Sequence, residues 1–298
     1  MSAYLIGIDG GGSKTDFLLC DLGLNGVARC YYGSSNPNDI GTVSAAELLT
    51  DGVNSLCASA GIEKSEVAAV FAGIAGATSR NNVAVLTEAL RKALPCAKAA
   101  VLHDGINVLY GAFPDSDGVS VICGTGSSCF VKKGGEIFRI GGYGSLDLCG
   151  NGYEIGRAAL AHALKTVDGR EQEGVMEELL HKKFGNDFLR SLETMLELGK
   201  KQTASLAPLV FEAAERGDRS ALAIIKTNVE YIVGLIDKAG EKFEGDYGVA
   251  IAGGIFKSAL AEQMLKANVN RRAKITKNAA DPVFGAAARA KQLLTESL

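Results

Sequence analysis

The chain of 298 residues has no tryptophan, three histidines and only 6% aromatics. It carries no cluster of lysine and arginine, and 31 basic residues stand against 34 acidic ones for a net charge of -3. Nucleic-acid surfaces need a basic patch, often interleaved with aromatics, so that class of partner is disfavoured and a small molecule is the expected ligand. No apolar run approaches the ~18–20 residues that span a bilayer. The opening MSAYLIGIDGGG has neither a basic segment nor a cleavable apolar core, so neither a membrane span nor a targeting segment is expected. The seven cysteines are odd in number, form no Cys-x-x-Cys pair and have no spacing to histidine suited to zinc. A disulfide framework and a structural metal are both disfavoured, and a reducing, cytoplasmic setting is expected. There is also no Ser–His–Asp pattern to support a hydrolase. His103, His162 and His181 read as incidental, although His103 stands beside Asp104 and could orient it. Cys20, Cys30, Cys57 and Cys96 read as small apolar residues.

Against these absences, 47% of the residues are hydrophobic and 22% charged, the balance of an ordinary globular protein. At roughly 100–200 residues per domain the length suggests two domains. Alternating and β-branched runs predict strands at Tyr4–Asp9, Asp16–Asp21 and Val27–Gly33, joined by turns too short for a helix. A helix follows at Ser44–Ser59, with Ser44 and Glu47 spaced as a capping box. Then come strand Val67–Ala72, helix Asn81–Leu94, strand Ala99–His103 and helix Ile106–Phe113. After the turn-rich Pro114–Gly118 the pattern restarts with strands Val119–Cys123, Cys129–Lys132 and Ile137–Ile140. Next is a long helical stretch, Glu154–Lys242, broken near Asp168, Gly185 and Gly217; then strand Gly248–Ala252, a helix from Ser258, strand Ala273–Thr276 and a helix from Val283. Three successive strands followed by alternating helices and strands thus occur twice. The expected domains are 1–115, with the terminal helix 284–298 packing back on it, and 116–283.

Four segments carry the chemistry. Asp9-Gly10-Gly11-Gly12-Ser13-Lys14-Thr15 turns between the first two strands, where small residues let backbone N–H groups approach phosphate and a strand-end carboxylate can hold Mg²⁺. It is not a Walker A loop, because Ser13 stands where lysine is required and no helix follows at once. Cys123-Gly124-Thr125-Gly126-Ser127-Ser128 is a second such turn at the matching place in the second repeat, and Cys129 breaks any G-x-G-x-x-G fingerprint. Asp104 follows a strand and precedes a helix, where a carboxylate can act as a general base or simply cap the helix. Ile251-Ala252-Gly253-Gly254-Ile255-Phe256-Lys257 runs from strand to helix through a glycine pair that permits flat approach of a ring such as adenine.

The order DGGGSKT, HDG, CGTGSS, GGYG and AGGIFKS resembles the actin-like ATPase and sugar-kinase superfamily, and within it the N-acetylglucosamine kinase branch grouped with the BadF/BadG/BcrA/BcrD ATPases. The resemblance implies an α/β chain of two ribonuclease-H-like domains with a central nucleotide cleft holding ATP and Mg²⁺, an amino-sugar acceptor such as N-acetylglucosamine or N-acetylmuramic acid deeper in it, and a homodimer. It implies Asp104 as the catalytic base and Asp9 at the metal. Gly11, Gly12, Ser13, Lys14, Thr125, Gly126, Gly253, Gly254 and Lys257 would bind the nucleotide. Asn36, Asp104, Ser127, Ser128, Gly142, Tyr143 and Gly144 would line the sugar pocket. The segment Leu146–Gly152 departs from the pattern: the expected acidic pair is reduced to Asp147, which, or Glu154, would take its place. An alternative within the fold is the iron–sulfur activator ATPase of a 2-hydroxyacyl-CoA dehydratase or benzoyl-CoA reductase, for which Cys123 and Cys149 are the candidate ligands. The Cys/His cluster of zinc-binding bacterial glucokinases is missing.

Overall fold

The computed structural model describes residues 4–147, 149–277 and 281–296. Leu148, in the segment singled out above, and the last two residues of the expected terminal helix lie outside them. In chain order the elements are β1 (Tyr4–Gly10), β2 (Thr15–Asp21), β3 (Gly26–Tyr32), α1 (Pro37–Ile40), α2 (Thr42–Ala60), β4 (Val67–Ile74), α3 (Asn82–Ala93), β5 (Lys98–Leu102), α4 (Gly105–Ala112) and β6 (Gly118–Cys123). Then follow β7 (Ser127–Lys133), β8 (Glu136–Ile140), α5 (Gly152–Val167), α6 (Val175–Phe184), α7 (Leu192–Leu196), α8 (Lys200–Ala204), α9 (Ala207–Glu215) and α10 (Arg219–Gly240). Last are β9 (Tyr247–Ala252), α11 (Ala259–Asn268), β10 (Ala273–Lys277) and α12 (Pro282–Leu293).

Two compact units result, Met1–Ser120 with Asn278–Leu298, and Val121–Lys277. The first sheet has the order β3-β2-β1-β4-β5 and the second β8-β7-β6-β9-β10, so the same topology occurs twice. In the first, β1, β2 and β3 pair antiparallel while β4 and β5 join in parallel. In the second, β7 and β8 are antiparallel and β9 and β10 parallel. Hairpins need only short turns, whereas each parallel step requires a crossover helix; the strand spacing in the sequence follows from that.

Within β2 the run Phe17–Cys20 is apolar without a break because its sheet is covered on both faces. Phe17 and Leu19 join Leu49, Val53, Leu86 and Leu90 of α2 and α3 in the main core of the first unit. Leu18 and Cys20 point the other way, onto Val283 and Ala287 of α12. A Cβ on Gly7 would stand 2.5 Å from Val283 O and Ala287 N, so α12 lies directly on the backbone of β1.

Several boundaries differ from the sequence-based expectation. The first long helix begins at Thr42 behind Gly41 with no capping box at Ser44, because the one-turn α1, itself unexpected, delivers the chain there. The stretch 154–242 forms six helices rather than four, with additional breaks at 197–199 and 205–206. His103 lies beyond β5.

Candidate active site

The first loop is closed by Gly11 N donating to Lys14 O at 2.9 Å, and is anchored by Ser35 N to Gly11 O and Ala75 N to Gly10 O. Its glycines do not adopt positive φ. Gly10 is required sterically instead, since a Cβ there would meet Ser35 Oγ at 2.2 Å. Gly11 N–H is thus used within the turn, while Ser13 and Lys14 face solvent and Lys14 Nζ sits 5.5 Å over the Tyr31 ring.

Asp9, next to the end of β1, is half-buried and pairs across the ladder with Asp16. Burial pushes its carboxyl up to about 6, a hydrogen bond from Asn107 opposes this, and the carboxylates of Asp104, Asp16 and Asp281 push it further up. Asn107 was not foreseen from sequence. It is fully buried on α4, and its Nδ2 donates to Asp9 Oδ1 at 2.6 Å and lies 3.4 Å from Ile8 O and 3.3 Å from Gly73 O. Gly73 must lack a side chain for this, as its Cβ would fall 2.1 Å from Asn107 Oδ1. A lone hard-oxygen donor among carboxylates suits Mg²⁺, which takes one or two protein carboxylates and completes its shell with phosphate and water. The donor set fits that ion.

Asp104 occupies the N-cap position of α4, yet its side chain makes no capping bond. Its carboxylate, 31% exposed, is therefore not spent on the helix, and Oδ1 lies 2.6 Å from His103 Nδ1. The same His103 Nδ1 accepts from Gly105 N at 3.1 Å, at the start of α4. Asp104 and Asn107 are one helical turn apart, so α4 carries both the candidate base and the group that orients Asp9.

In the second unit, the loop after β6 is pinched by Gly124 N to Gly126 O at 2.9 Å and clasped by the start of α5 through Gly152 N to Gly124 O at 2.8 Å and Tyr153 N to Thr125 O. Gly253, at φ +104°, lies against Cys123, where a Cβ would stand 2.4 Å from the carbonyl oxygen. Any side chain would push the turn after β9 off the end of β6. This close approach helps form a cavity of about 400 Å³ lined by Gly124, Thr125, Gly254 and Lys257 together with Lys201 and Phe211. Ala204 and Pro208 complete an apolar side. Lys201, Ala204, Pro208 and Phe211 carry no motif; only the break between α8 and α9 turns them to the glycine turns.

Asn36 caps α1, its Oδ1 accepting from Asn38 N and its Nδ2 donating to Asp39 Oδ2, both at 3.0 Å. Ser127 Oγ donates to Cys149 O at 3.0 Å, and Ser128 is buried. Gly142 and Gly144 have φ of +73° and +72°, and Tyr143 is 62% exposed between them. Asp147 is the clasp of that turn: Oδ2 accepts from Gly142 N at 2.7 Å and Tyr143 N at 3.4 Å, while Oδ1 accepts from Tyr231 Oη. Arg139 holds the other side through Gly141 O and Gly142 O. Glu154 forms a two-point pair with Arg157 at 2.7 Å. Cys123 is buried and Cys149 half-buried, and burial pushes both thiols up. Among the described residues no helix is long and apolar enough to cross a membrane.

Duplicated β-β-β-α-β-α-β topology with a strand-end carboxylate in one unit and a glycine-lined cavity in the other defines the class: an α/β protein of two ribonuclease-H-like units, the architecture of actin-like sugar kinases. The BadF/BadG/BcrA/BcrD ATPase family matches residues 6–290, and the chain belongs to that family. It is 31% identical over 229 residues to the N-acetylmuramic acid/N-acetylglucosamine kinase of Clostridium acetobutylicum, covering 75% of this chain and 74% of that one. It is 28% identical over 310 residues to the N-acetyl-D-glucosamine kinase of Dictyostelium discoideum, covering 95% and 96%. A solved structure from Chromobacterium violaceum, provisionally described as an N-acetylglucosamine kinase, superposes with a TM-score of 0.77 at 24% identity over 98% of this chain and 99% of that one.

Proposed function

We propose that the chain transfers the γ-phosphoryl group of Mg-ATP to a hydroxyl of an amino sugar, N-acetylglucosamine and/or N-acetylmuramic acid. The observation that carries this reading is Asp104: a residue at the N-cap position whose part-exposed carboxylate makes no capping bond and lies beside His103. A carboxylate held in that state can accept the proton of an attacking hydroxyl. Family membership and the two kinases named above support the reaction class.

In this reading Asp104 takes the hydroxyl proton as the sugar oxygen bonds to the γ-phosphorus and the bond to the ADP oxygen breaks. Mg²⁺ supplies neutralisation of the phosphate charge, and Asp9, oriented by Asn107, would hold it. Gly11, Gly12, Ser13 and Lys14 of the first loop would bind phosphate, as would Thr125 and Gly126 of the second. Adenosine enters the cavity beside Gly253, Gly254 and Lys257, its ring against Phe211 and Ala204. Asn36, Ser127, Ser128 and the turn Gly142–Gly144 contact the sugar, and Asp147 acts by shaping that turn, since its oxygens already accept backbone and tyrosyl donors. A cytoplasmic homodimer of domains 1–115 and 116–283 completes the reading.

Replacing Asp104 by Asn tests it. Sugar-dependent ADP release should fall by about 10²–10⁴, the usual contribution of a general base, while Mg-ADP still raises the melting temperature as in the parent. Near-normal turnover in Asp104→Asn would remove the residue from the base role.

A further inference from the structure

One nitrogen of His103 has two partners that make opposite demands on it. Gly105 N, the first N–H of α4, donates to His103 Nδ1 at 3.1 Å. Asp104 Oδ1 lies 2.6 Å from the same Nδ1. The first contact uses the lone pair of an unprotonated nitrogen. The second requires a proton between the two atoms, because a bare carboxylate oxygen and a bare imidazole nitrogen repel at that separation. An imidazole nitrogen offers either a lone pair or an N–H, so the two contacts correspond to two protonation states of one pair.

The start of α4 is built to allow both states. Asp104 stands at the N-cap position with helical φ and ψ, and its side chain makes no capping bond. Gly105 N is one of the donors that a helix start leaves without an intrahelical acceptor, and His103 Nδ1 accepts from it whenever that nitrogen has no proton. Ile106 N donates to His103 O and Asn107 N to Asp104 O, both at 3.0 Å, so the backbone of both residues is held while Nδ1 changes partner. The His103 side chain is 17% exposed and that of Asp104 31%, so both ends of the pair reach solvent.

We propose that His103 receives the hydroxyl proton from Asp104, which makes it a positioning residue for the base and the second acceptor of that proton. The inference deepens the kinase reading and rests on Asp104 as its base. Before transfer Asp104 is a carboxylate and Nδ1 accepts from Gly105 N. The sugar oxygen bonds to the γ-phosphorus, the bond from phosphorus to the ADP oxygen breaks, and the hydroxyl proton passes to Asp104. The new Asp104 O–H then breaks as Nδ1 takes the proton, leaving an imidazolium paired with a carboxylate. The imidazolium gives a proton to water and the ring returns to the tautomer that is bare at Nδ1, which restores both groups.

Asparagine or glutamine at position 103 supplies an amide oxygen for Gly105 N–H and cannot take a proton. The test measures the parent, His103→Asn, His103→Gln, Asp104→Asn and the double variant His103→Asn/Asp104→Asn with Mg-ATP and N-acetylglucosamine. In His103→Asn and His103→Gln kcat should fall by about tenfold or more, a part of the 10²–10⁴ that a positioned base supplies. The KM values for sugar and ATP should stay within about threefold, since neither substrate loses a contact. In the Asp104→Asn background the further change from His103→Asn should be less than about twofold, because His103 acts through Asp104. Parent-like kcat in a folded His103→Asn or His103→Gln, or an equal loss from His103→Asn in both backgrounds, overturns the role of His103 and leaves the kinase reading intact. Parent-like turnover in Asp104→Asn overturns this inference together with the base, and a parent without sugar-dependent turnover overturns the kinase reading itself.

Discussion

Asp9 is held at a cost to the fold. Its carboxyl titrates at about 6 because it is buried near three other acids. A carboxyl whose pKa is raised on folding binds more protons folded than unfolded between pH ~4 and ~6, so its contribution falls as pH rises through that window and is most unfavourable above it. The penalty at neutral pH is about 2–3 kcal/mol. Asp9→Asn keeps an acceptor for Asn107 Nδ2 and removes the charge. Its melting temperature, measured by calorimetry without nucleotide, should exceed the parent's by several degrees at pH 7.5 and match it near pH 4, while sugar-dependent turnover is lost. A parent more stable than Asp9→Asn at pH 7.5 would mean that Asp9 is not destabilised as described. Asn107 is the complementary case. Asn107→Leu removes the Nδ2 donor to Asp9 Oδ1, and the Mg²⁺ concentration for half-maximal activity should rise about tenfold or more with a smaller change in the KM for sugar, as read from metal titrations. Residue identities such as Asp9 and Asp104 were legible because their motifs place them at strand ends. Asn107 was not, since an asparagine inside an apolar helix shows no period that marks it as a partner of a strand 98 residues earlier.

At the scale of elements, close approach of backbones decides which glycines matter. Gly7 admits α12 onto β1, and Gly253 admits the turn after β9 onto the end of β6. Gly253→Ala forces a left-handed φ on a residue with a Cβ and a contact 2.4 Å from Cys123 O. A loss of about 2–4 kcal/mol is expected from the two effects together, with a raised KM for ATP, checked by denaturant unfolding and initial rates. Most strands and helices were readable from hydrophobic period: β2 carries the apolar run Phe17–Cys20 because its sheet is covered on both faces, and the edge strand β3 alternates in exposure. The fragmentation of 154–242 was not, although Pro208, in the first turn of α9, marks the helix start just after the break at 205–206. That break is what carries Lys201, Ala204 and Phe211 to the cavity beside Gly254. Phe211→Ala should therefore raise the KM for ATP about tenfold while leaving the KM for sugar within about twofold, on the scale of burying one aromatic face.

At the scale of the molecule, one topology serves twice with different chemistry. In the first unit Asp9 stands next to the end of β1 and Asp104 at the N-cap of α4, and in the second glycine turns line a lysine-flanked cavity. The duplication was visible in the order of predicted elements. The shape of the turn Gly141–Gly144 was not visible, because it is set by Asp147, Tyr231 and Arg139 from three separate places in the chain. The most direct measurement of the central claim is ADP release by the purified chain with Mg-ATP, with and without N-acetylglucosamine, N-acetylmuramic acid, glucosamine, N-acetylmannosamine or glucose. The account predicts release that depends on sugar and is greatest with N-acetylglucosamine or N-acetylmuramic acid. ADP release that is the same with every sugar and with none would contradict it.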